Sequence, residues 1–215
     1  MAIQCIEKNF FTRDVLDLAP ALLGKHLVRS FPGGIPRYYI ITETEAYRGE
    51  DDLACHASRG RTPRTEVMYR EGGILYVYLV YGIHWMLNIV TGITGDPQAV
   101  LIRGLKEINR PDQTKGANLS AGLQEADHQL EPHSGRKTVQ VHEAGKMHEI
   151  SGPGRLTKAL GIDASFNGEP LCTSQRIWLE ETGITLPHTT TPRIGIDYAG
   201  EPWKSKPWRF IAGDF

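Results

Sequence analysis

A short segment with two carboxylates and a tyrosine at alternate positions has the residue types best suited to chemistry. It spans residues 37–47, and its aromatic and β-branched residues predict a strand. Because side chains alternate between the faces of a strand, Glu43, Glu45 and Tyr47 would share one face. Carboxylates beside an aromatic ring on rigid backbone suggest a site that holds a planar ligand and attacks or protonates it. The alternative is a strand whose acids are exposed or ion-paired.

A second polar cluster follows this strand and contains Asp52, Cys55 and His56. Its spacing matches no established zinc signature, so we expect no metal here. His56 suits a neutral hydrogen-bond partner in a pocket, and an ordinary loop histidine is the alternative.

Three arginines then occur within six residues, Arg59, Arg61 and Arg64, together with a Thr62-Pro63 pair that resembles a helix start. Guanidinium groups and exposed helical amides bind phosphate oxygens. The cluster therefore predicts an anion-binding surface, with a solvated charged turn as the alternative.

Tyrosines mark two consecutive predicted strands that meet at Tyr81-Gly82. Tyr76 and Tyr78 share a face, and core packing is the usual fate of such residues. Tyr81 instead sits at the tip of a hairpin, where an aromatic ring near arginines suits insertion into a base stack.

Asn88 and Arg103 are polar residues in otherwise apolar predicted strands. Buried polar groups require partners, so each of the two is either a structural tie or a site residue.

Composition favours a single domain of 215 residues, 40% of them hydrophobic. The net charge of −1 argues against a protein that binds polyanions over its whole surface, but leaves room for a local basic patch. Three scattered cysteines, and an N-terminus without a secretory pattern, predict an intracellular, cytoplasmic protein. The uncharged segment 73–90 reads as strands rather than a membrane span because it is rich in aromatic and β-branched residues.

Local patterns predict the order of the elements. Residues 111–149 predict a long surface loop or partly disordered insertion within the domain. The predicted helices cover 12–24, 62–69 and 155–160, and Thr12 is the predicted N-cap of the first. The predicted strands cover 27–47 (with a turn at 32–36), 74–81, 83–90, 98–105 and short pieces after 176.

Taken in order, these pieces resemble the alkyladenine DNA glycosylases, also called 3-methyladenine or N-methylpurine DNA glycosylases. The similarity runs from about residue 10 to residue 210. The matching segments are 43–47, His56, 61–64, 73–82, Asn88, 100–105, 151–160 and 192–196.

The resemblance implies a mixed α/β (α+β) fold. This would be a single compact domain with a curved antiparallel sheet flanked by helices and a protruding β-hairpin that inserts into the DNA minor groove. It also implies a monomeric, monofunctional enzyme of base excision repair that needs no cofactor. Its substrates would be 3-methyladenine, 7-methylguanine, hypoxanthine or ethenoadenine in double-stranded DNA, flipped out and hydrolysed at the N-glycosidic bond by a Glu-activated water.

By the same resemblance, Glu45 is the general base, Arg103 holds the water or a phosphate, and Glu43 is structural. Hydrolysis of a neutral base such as hypoxanthine would need a hydrogen-bond donor that the sequence does not identify. The base pocket would consist of Tyr47, His56, Tyr78 and Asn88, with Asn88 excluding the exocyclic amine of guanine. The DNA contacts would be Arg61, Thr62, Arg64, the wedge Tyr81 with its partner Ile83, and Arg155.

Two other functions remain open from the sequence. A non-catalytic module could bind damaged DNA on the same scaffold. A nucleosidase acting on small molecules would use the same carboxylate chemistry, and the near-neutral net charge is a mild point in its favour.

Overall fold

Strand β2 (Arg37–Arg48) organises the fold in the computed structural model, which describes residues 5–109 and 148–213. One edge of β2 pairs along its length with β5 (Gln98–Ile108). Its other edge is shared by β1 (His26–Arg29) and β9 (Arg209–Ala212). Because β2 pairs with different strands at its two ends, the sheet curves around it.

The remaining strands extend this sheet on both sides, and every pairing is antiparallel. The main order is β3-β4-β5-β2-β1-β7, while β6 pairs with β5 and β8 pairs with β9. The sheet and its few helices form one compact α+β domain, as predicted. The additional strands are β3 (Leu75–Val80), β4 (His84–Thr91), β6 (Glu149–Ser151), β7 (Ile177–Glu180) and β8 (His188–Thr191).

A bulge interrupts the β2–β5 pairing where the two acids lie. The register shifts on both sides of Glu43, so that Glu43 faces Gly104, the next pair is Thr44 with Ile102, and Arg103 has no directly opposed residue. A Cβ atom on Gly104 would lie 2.6 Å from the Thr42 hydroxyl, so the close approach of the strands requires glycine. Bulges bend a strand and re-aim a side chain.

Helix α1 (Val15–Ala21) packs on β2, where the Thr44 hydroxyl donates to the Ala19 carbonyl at 2.9 Å. The helix begins three residues later than predicted. The Asp14 carboxylate, not Thr12, accepts the free amide of Leu16 and caps the helix.

Helix α2 (Pro153–Leu160) follows the predicted pattern, with proline in the first turn and a left-handed Gly161 at its end. It lies against β4 so closely that a Cβ on Gly154 would meet the His84 ring at 3.0 Å. The Thr157 hydroxyl adds a hydrogen bond to the Trp85 carbonyl.

One further prediction, the helix 62–69, needs correction, and another, the loop 111–149, lies almost wholly outside the described residues. The predicted helix 62–69 reduces to a 3₁₀ turn, Glu66–Tyr69. Before it, the Thr65 hydroxyl accepts the Thr62 amide and donates to the Gly60 carbonyl, which holds a turn instead. The predicted loop 111–149 lies outside the described residues except for its last two, of which Glu149 already begins β6.

A large apolar core joins the two α-helices to the sheet, and a smaller apolar cluster is separate from it. The segment 73–90 forms β3 and β4, as its composition predicts. In the described part of the chain, no helix has the length and apolarity needed to cross a membrane. The smaller cluster consists of Cys55, Ala57, Met68, Tyr69, Ile74, Tyr76, Val90 and Ala99.

Replacement of Gly72 should destabilise the fold, because a Cβ there would lie 2.3 Å from the Phe11 carbonyl oxygen and 3.0 Å from the Thr91 Cα. We expect Gly72→Ala to lower the free energy of unfolding by about 1–3 kcal/mol, as overpacking does. In Gly34→Ala, the nearest atom to the new Cβ would be 3.7 Å away. Urea denaturation of both variants is the measurement, and equal midpoints at equal slopes would contradict the prediction.

Candidate active site

A single open pocket brings together most of the residues that the sequence singled out. Its volume is about 520 Å³, within the range of small-molecule sites. Its walls come from β2 to β5 and from the segments near residues 54–68 and 194–198. The predicted site residues that line it are Tyr47, His56, Arg64, Tyr78, Tyr81, Asn88 and Arg103.

Glu45 lies behind this wall with no exposed surface. One carboxylate oxygen accepts the Ile194 amide at 2.8 Å, and the other accepts the Tyr47 hydroxyl at 2.9 Å. The Nε atom of the Arg103 guanidinium lies 3.4 Å from Oε1 of Glu45. Burial raises the pKa of Glu45, and Arg103 and the two hydrogen bonds oppose that rise. Glu45 is therefore fixed in position by these contacts, and its affinity for a proton is higher than that of an exposed glutamate.

Glu43 has different surroundings, although it is also buried. Its Oε1 accepts Nε–H of Arg103 at 2.9 Å and Nε–H of Arg209 at 2.6 Å. Glu43 therefore balances two cations and orients the guanidinium that reaches Glu45, a structural role.

A buried ion pair fixes the amide that Glu45 accepts. Arg193 donates to both oxygens of Asp52, at 2.6 and 2.8 Å, and to the Ala46 carbonyl at 2.9 Å. Both side chains of the pair are fully buried. Because Ile194 is the next residue, the ion pair holds its N–H against strand β2. Sequence reasoning assigned no role to Arg193, and the available signal was a charged residue within the otherwise uncharged run 192–196.

Tyr47 forms one wall of the pocket. The Arg193 guanidinium carbon lies 4.8 Å from the centre of its ring. Burial, followed by the charge of Glu45, raises the pKa of Tyr47 well above its ordinary value. The hydroxyl therefore stays protonated and donates to Glu45.

His56 and Tyr78 also line the pocket, with ring centres 4.5 Å apart. The Nδ1 atom of His56 lies 2.9 Å from the Tyr76 hydroxyl. Burial, helped by the charges of Arg64 and Arg59, lowers the pKa of His56 to about 4, so the imidazole is neutral at physiological pH, as predicted. The sequence identified Tyr76 only as a strand tyrosine. In the structure, its hydroxyl contacts the His56 imidazole and helps to orient that ring.

Asn88, on β4, also lines this pocket and is almost fully buried. Its amide nitrogen donates to the Tyr76 carbonyl at 3.1 Å, which fixes the orientation of the side chain.

The turn between β3 and β4 presents apolar side chains to solvent. Tyr81 is 91% exposed and Ile83 is 70% exposed. Tyr81 has a φ of 54°, in the left-handed region that few non-glycine residues adopt. An exposed aromatic at the rim of a pocket indicates a contact surface.

The other residues predicted to contact DNA lie in different places. Arg61 forms a two-point ion pair with Glu66, at 2.8 and 2.6 Å, and lies off the pocket. Thr62 lines a neighbouring groove together with Arg59 and Arg64. Arg155 is exposed in the first turn of α2.

The side chains of Asp52, Cys55 and His56, which are close in sequence, have separate surroundings in the structure. Asp52 pairs with Arg193, and burial raises the pKa of the Cys55 thiol to about 12. Within residues 5–109 and 148–213, no three His, Cys, Asp or Glu side chains cluster as metal ligands would.

Known proteins resemble the chain along nearly its whole length. A family model described as "Methylpurine-DNA glycosylase (MPG)" matches residues 9–214. A protein of Desulfitobacterium hafniense is 42% identical over 211 residues, covering 96% of this chain and 94% of the relative. One from Psychrobacter cryohalolentis is 39% identical over 216 residues, covering 97% and 92%. Each of the two is named "Putative 3-methyladenine DNA glycosylase". The chain belongs to the methylpurine-DNA glycosylase family.

Proposed function

We propose that the protein is a monofunctional DNA glycosylase of base excision repair that acts as a monomer on double-stranded DNA inside the cell. It extrudes alkylated or deaminated purines, such as 3-methyladenine, 7-methylguanine, hypoxanthine and ethenoadenine, and hydrolyses their N-glycosidic bond. The observation that carries this proposal is the buried Glu45 behind an aromatic pocket that opens beside an exposed tyrosine.

The pocket suits an extruded base because the flat rings of Tyr47, His56 and Tyr78 line it. A purine between Tyr47 on one side and His56 with Tyr78 on the other would gain stacking worth about 1–3 kcal/mol. Positively charged methylated purines are attracted further to electron-rich rings. Asn88, held by its bond to the Tyr76 carbonyl, would disfavour the exocyclic amine of guanine, a penalty that the weakened glycosidic bond of cationic 7-methylguanine offsets.

Glu45 then serves as the general base. It removes a proton from the water that attacks C1′, and its charge stabilises an oxocarbenium-like sugar. Arg103 lines the pocket beside it and orients the water or the adjacent phosphate. None of the described residues that line the pocket is a lysine, in keeping with hydrolysis by water rather than through a Schiff base.

Tyr81 fills the space that the extruded nucleotide leaves, with Ile83 as its apolar partner. Wedges of this kind offset the unstacking of the duplex. Arg61, Thr62, Arg64 and Arg155 contribute contacts to phosphates, in which Arg61 would exchange Glu66 for a phosphate.

Replacement of the proposed base tests the chemistry directly. Glu45→Gln keeps the size of the side chain but removes its capacity to accept a proton, so single-turnover excision from alkylated duplex DNA should fall by about 10²- to 10⁴-fold. Binding to the same duplex should persist. Glu107→Gln, at the far end of β5 and paired with Arg37, is the control and should stay within roughly two-fold of the unaltered protein. Full activity of Glu45→Gln would remove Glu45 as the base.

The raised pKa of Glu45 predicts the pH dependence of excision. Because a general base acts only when deprotonated, kcat/KM should fall as the pH falls through this raised pKa. Arg103 is the main influence that lowers the pKa, so Arg103→Gln should move the acidic limb to higher pH, whatever it does to the rate.

Arg209→Gln is the matched control, since Arg209 also contacts Glu43 but is absent from the influences on Glu45. It should leave the acidic limb in place. Equal shifts in the two variants would contradict a direct effect of Arg103 on Glu45.

Loss of the exposed ring tests the wedge. Tyr81→Ser should weaken binding to damaged duplex DNA by about 1–3 kcal/mol, and should weaken binding to the same lesion in single-stranded DNA less. Ile35→Ser removes another exposed apolar side chain from a different hairpin turn and is the control. Equal losses on duplex and single strand would contradict the wedge.

The two alternatives make different predictions for the unaltered protein. Damage-specific binding without turnover on methylated and hypoxanthine-containing DNA would favour the non-catalytic module. Turnover of free nucleosides without DNA would favour the nucleosidase.

A further inference from the structure

The three arginines between residues 59 and 64 have three different surroundings. Arg61 is paired with Glu66 on the surface. Arg59 lines the neighbouring groove but not the base pocket. Arg64 lines both, with its guanidinium carbon 5.2 Å from the centre of the Tyr78 ring.

Arg64 interacts with the aromatic lining of the pocket, since its hydrogen bond and its charge oppose the rise of the Tyr76 pKa that burial causes. No carboxylate among the described residues forms an ion pair with it, in contrast to Arg61. Burial is the largest cause of the lowered pKa of His56, and the charge of Arg64 is the second largest. The positive charge of Arg64 therefore acts on the ring against which a base would stack.

We propose that Arg64 is a catalytic residue for uncharged damaged purines, donating a hydrogen bond to the departing base and stabilising the negative charge that the base acquires. Because this rests on the proposed function, it assigns a role at the same site. It also supplies the donor for a neutral base that the sequence did not identify.

The reaction balances without a proton from Arg64. When the C1′–N9 bond of a hypoxanthine nucleotide breaks, the electron pair stays on the base, which leaves as an anion. Water forms the new C1′–O bond and gives its proton to Glu45, and the base anion later takes a proton from solvent. A guanidinium stays protonated in proteins, so Arg64 acts through its N–H groups and its charge.

A cationic methylated purine makes the opposite demand. It already carries a positive charge and leaves as a neutral base, so no negative charge develops for Arg64 to stabilise. The guanidinium would instead repel the bound cation. Arg64 should therefore favour uncharged lesions over cationic lesions in the chemical step.

The test measures single-turnover excision from two duplexes of the same sequence, one with a single hypoxanthine and one with a single 7-methylguanine. Arg64→Gln should slow hypoxanthine excision by about 10- to 100-fold while slowing 7-methylguanine excision far less. Arg64→Lys keeps the charge and should restore part of the hypoxanthine rate. Arg59→Gln, which removes a charge from the neighbouring groove, should affect both lesions alike.

The outcomes distinguish a failure of the proposed role of Arg64 from a failure of the proposed glycosylase function. Equal slowing of both lesions by Arg64→Gln would leave Arg64 with its phosphate contact alone and overturn the proposed role at the departing base, with the glycosylase intact. Excision of 7-methylguanine but not hypoxanthine by the unaltered protein would overturn it as well. Excision of neither lesion, nor of methylated DNA in general, would instead overturn the proposed glycosylase.

Discussion

The burial of the Glu45 carboxylate is the constraint on which the rest of the site depends. Removing such a charge from water costs several kcal/mol unless hydrogen bonds and an opposite charge compensate. The compensating groups come from three distant parts of the chain: the Tyr47 hydroxyl, the Arg103 guanidinium and the Ile194 amide. The fold must therefore bring β2, β5 and the segment after β8 together before the carboxylate can be buried as an anion. The same compensation limits how far its pKa rises.

The bulge between β2 and β5 resolves a geometric conflict in that requirement. Two carboxylates on one strand face repel each other, and a regular pairing would place every β5 residue opposite a β2 residue. With the register shifted, Arg103 lies outside the regular pairs and its guanidinium contacts both Glu43 and Glu45. Gly104 permits the close approach that follows. Glu43 is also paired with Arg209. Arg103 can therefore be shared between Glu43 and Glu45 without leaving either carboxylate unpaired.

Local patterns in the sequence were sufficient for the strand alternation of residues 43–47, for the strands that meet at Tyr81 and for helix α2, because each depends on neighbouring residues. They failed for the start of α1, where Asp14 outcompetes Thr12 as the cap. The Asp52–Arg193 pair joins residues 141 apart, so no local signal carries it. The amide of Ile194 carries no signal either, because a backbone group has no residue type. The sequence therefore indicated the side chains that line the candidate site better than the contacts that position them.

Net charge alone was a poor guide to the ligand because it ignores which cations are already neutralised. Basic and acidic residues nearly balance, 24 against 25. Many arginines, however, are committed to internal acids: Arg193 to Asp52, and Arg103 to the two acids of β2. Arg59 and Arg64 remain exposed at the pocket and its neighbouring groove. A nearly neutral protein thus presents a local positive field at the rim of its pocket, where a polyanion would arrive. The near-neutral charge consequently loses its weight as support for a nucleosidase acting on small molecules.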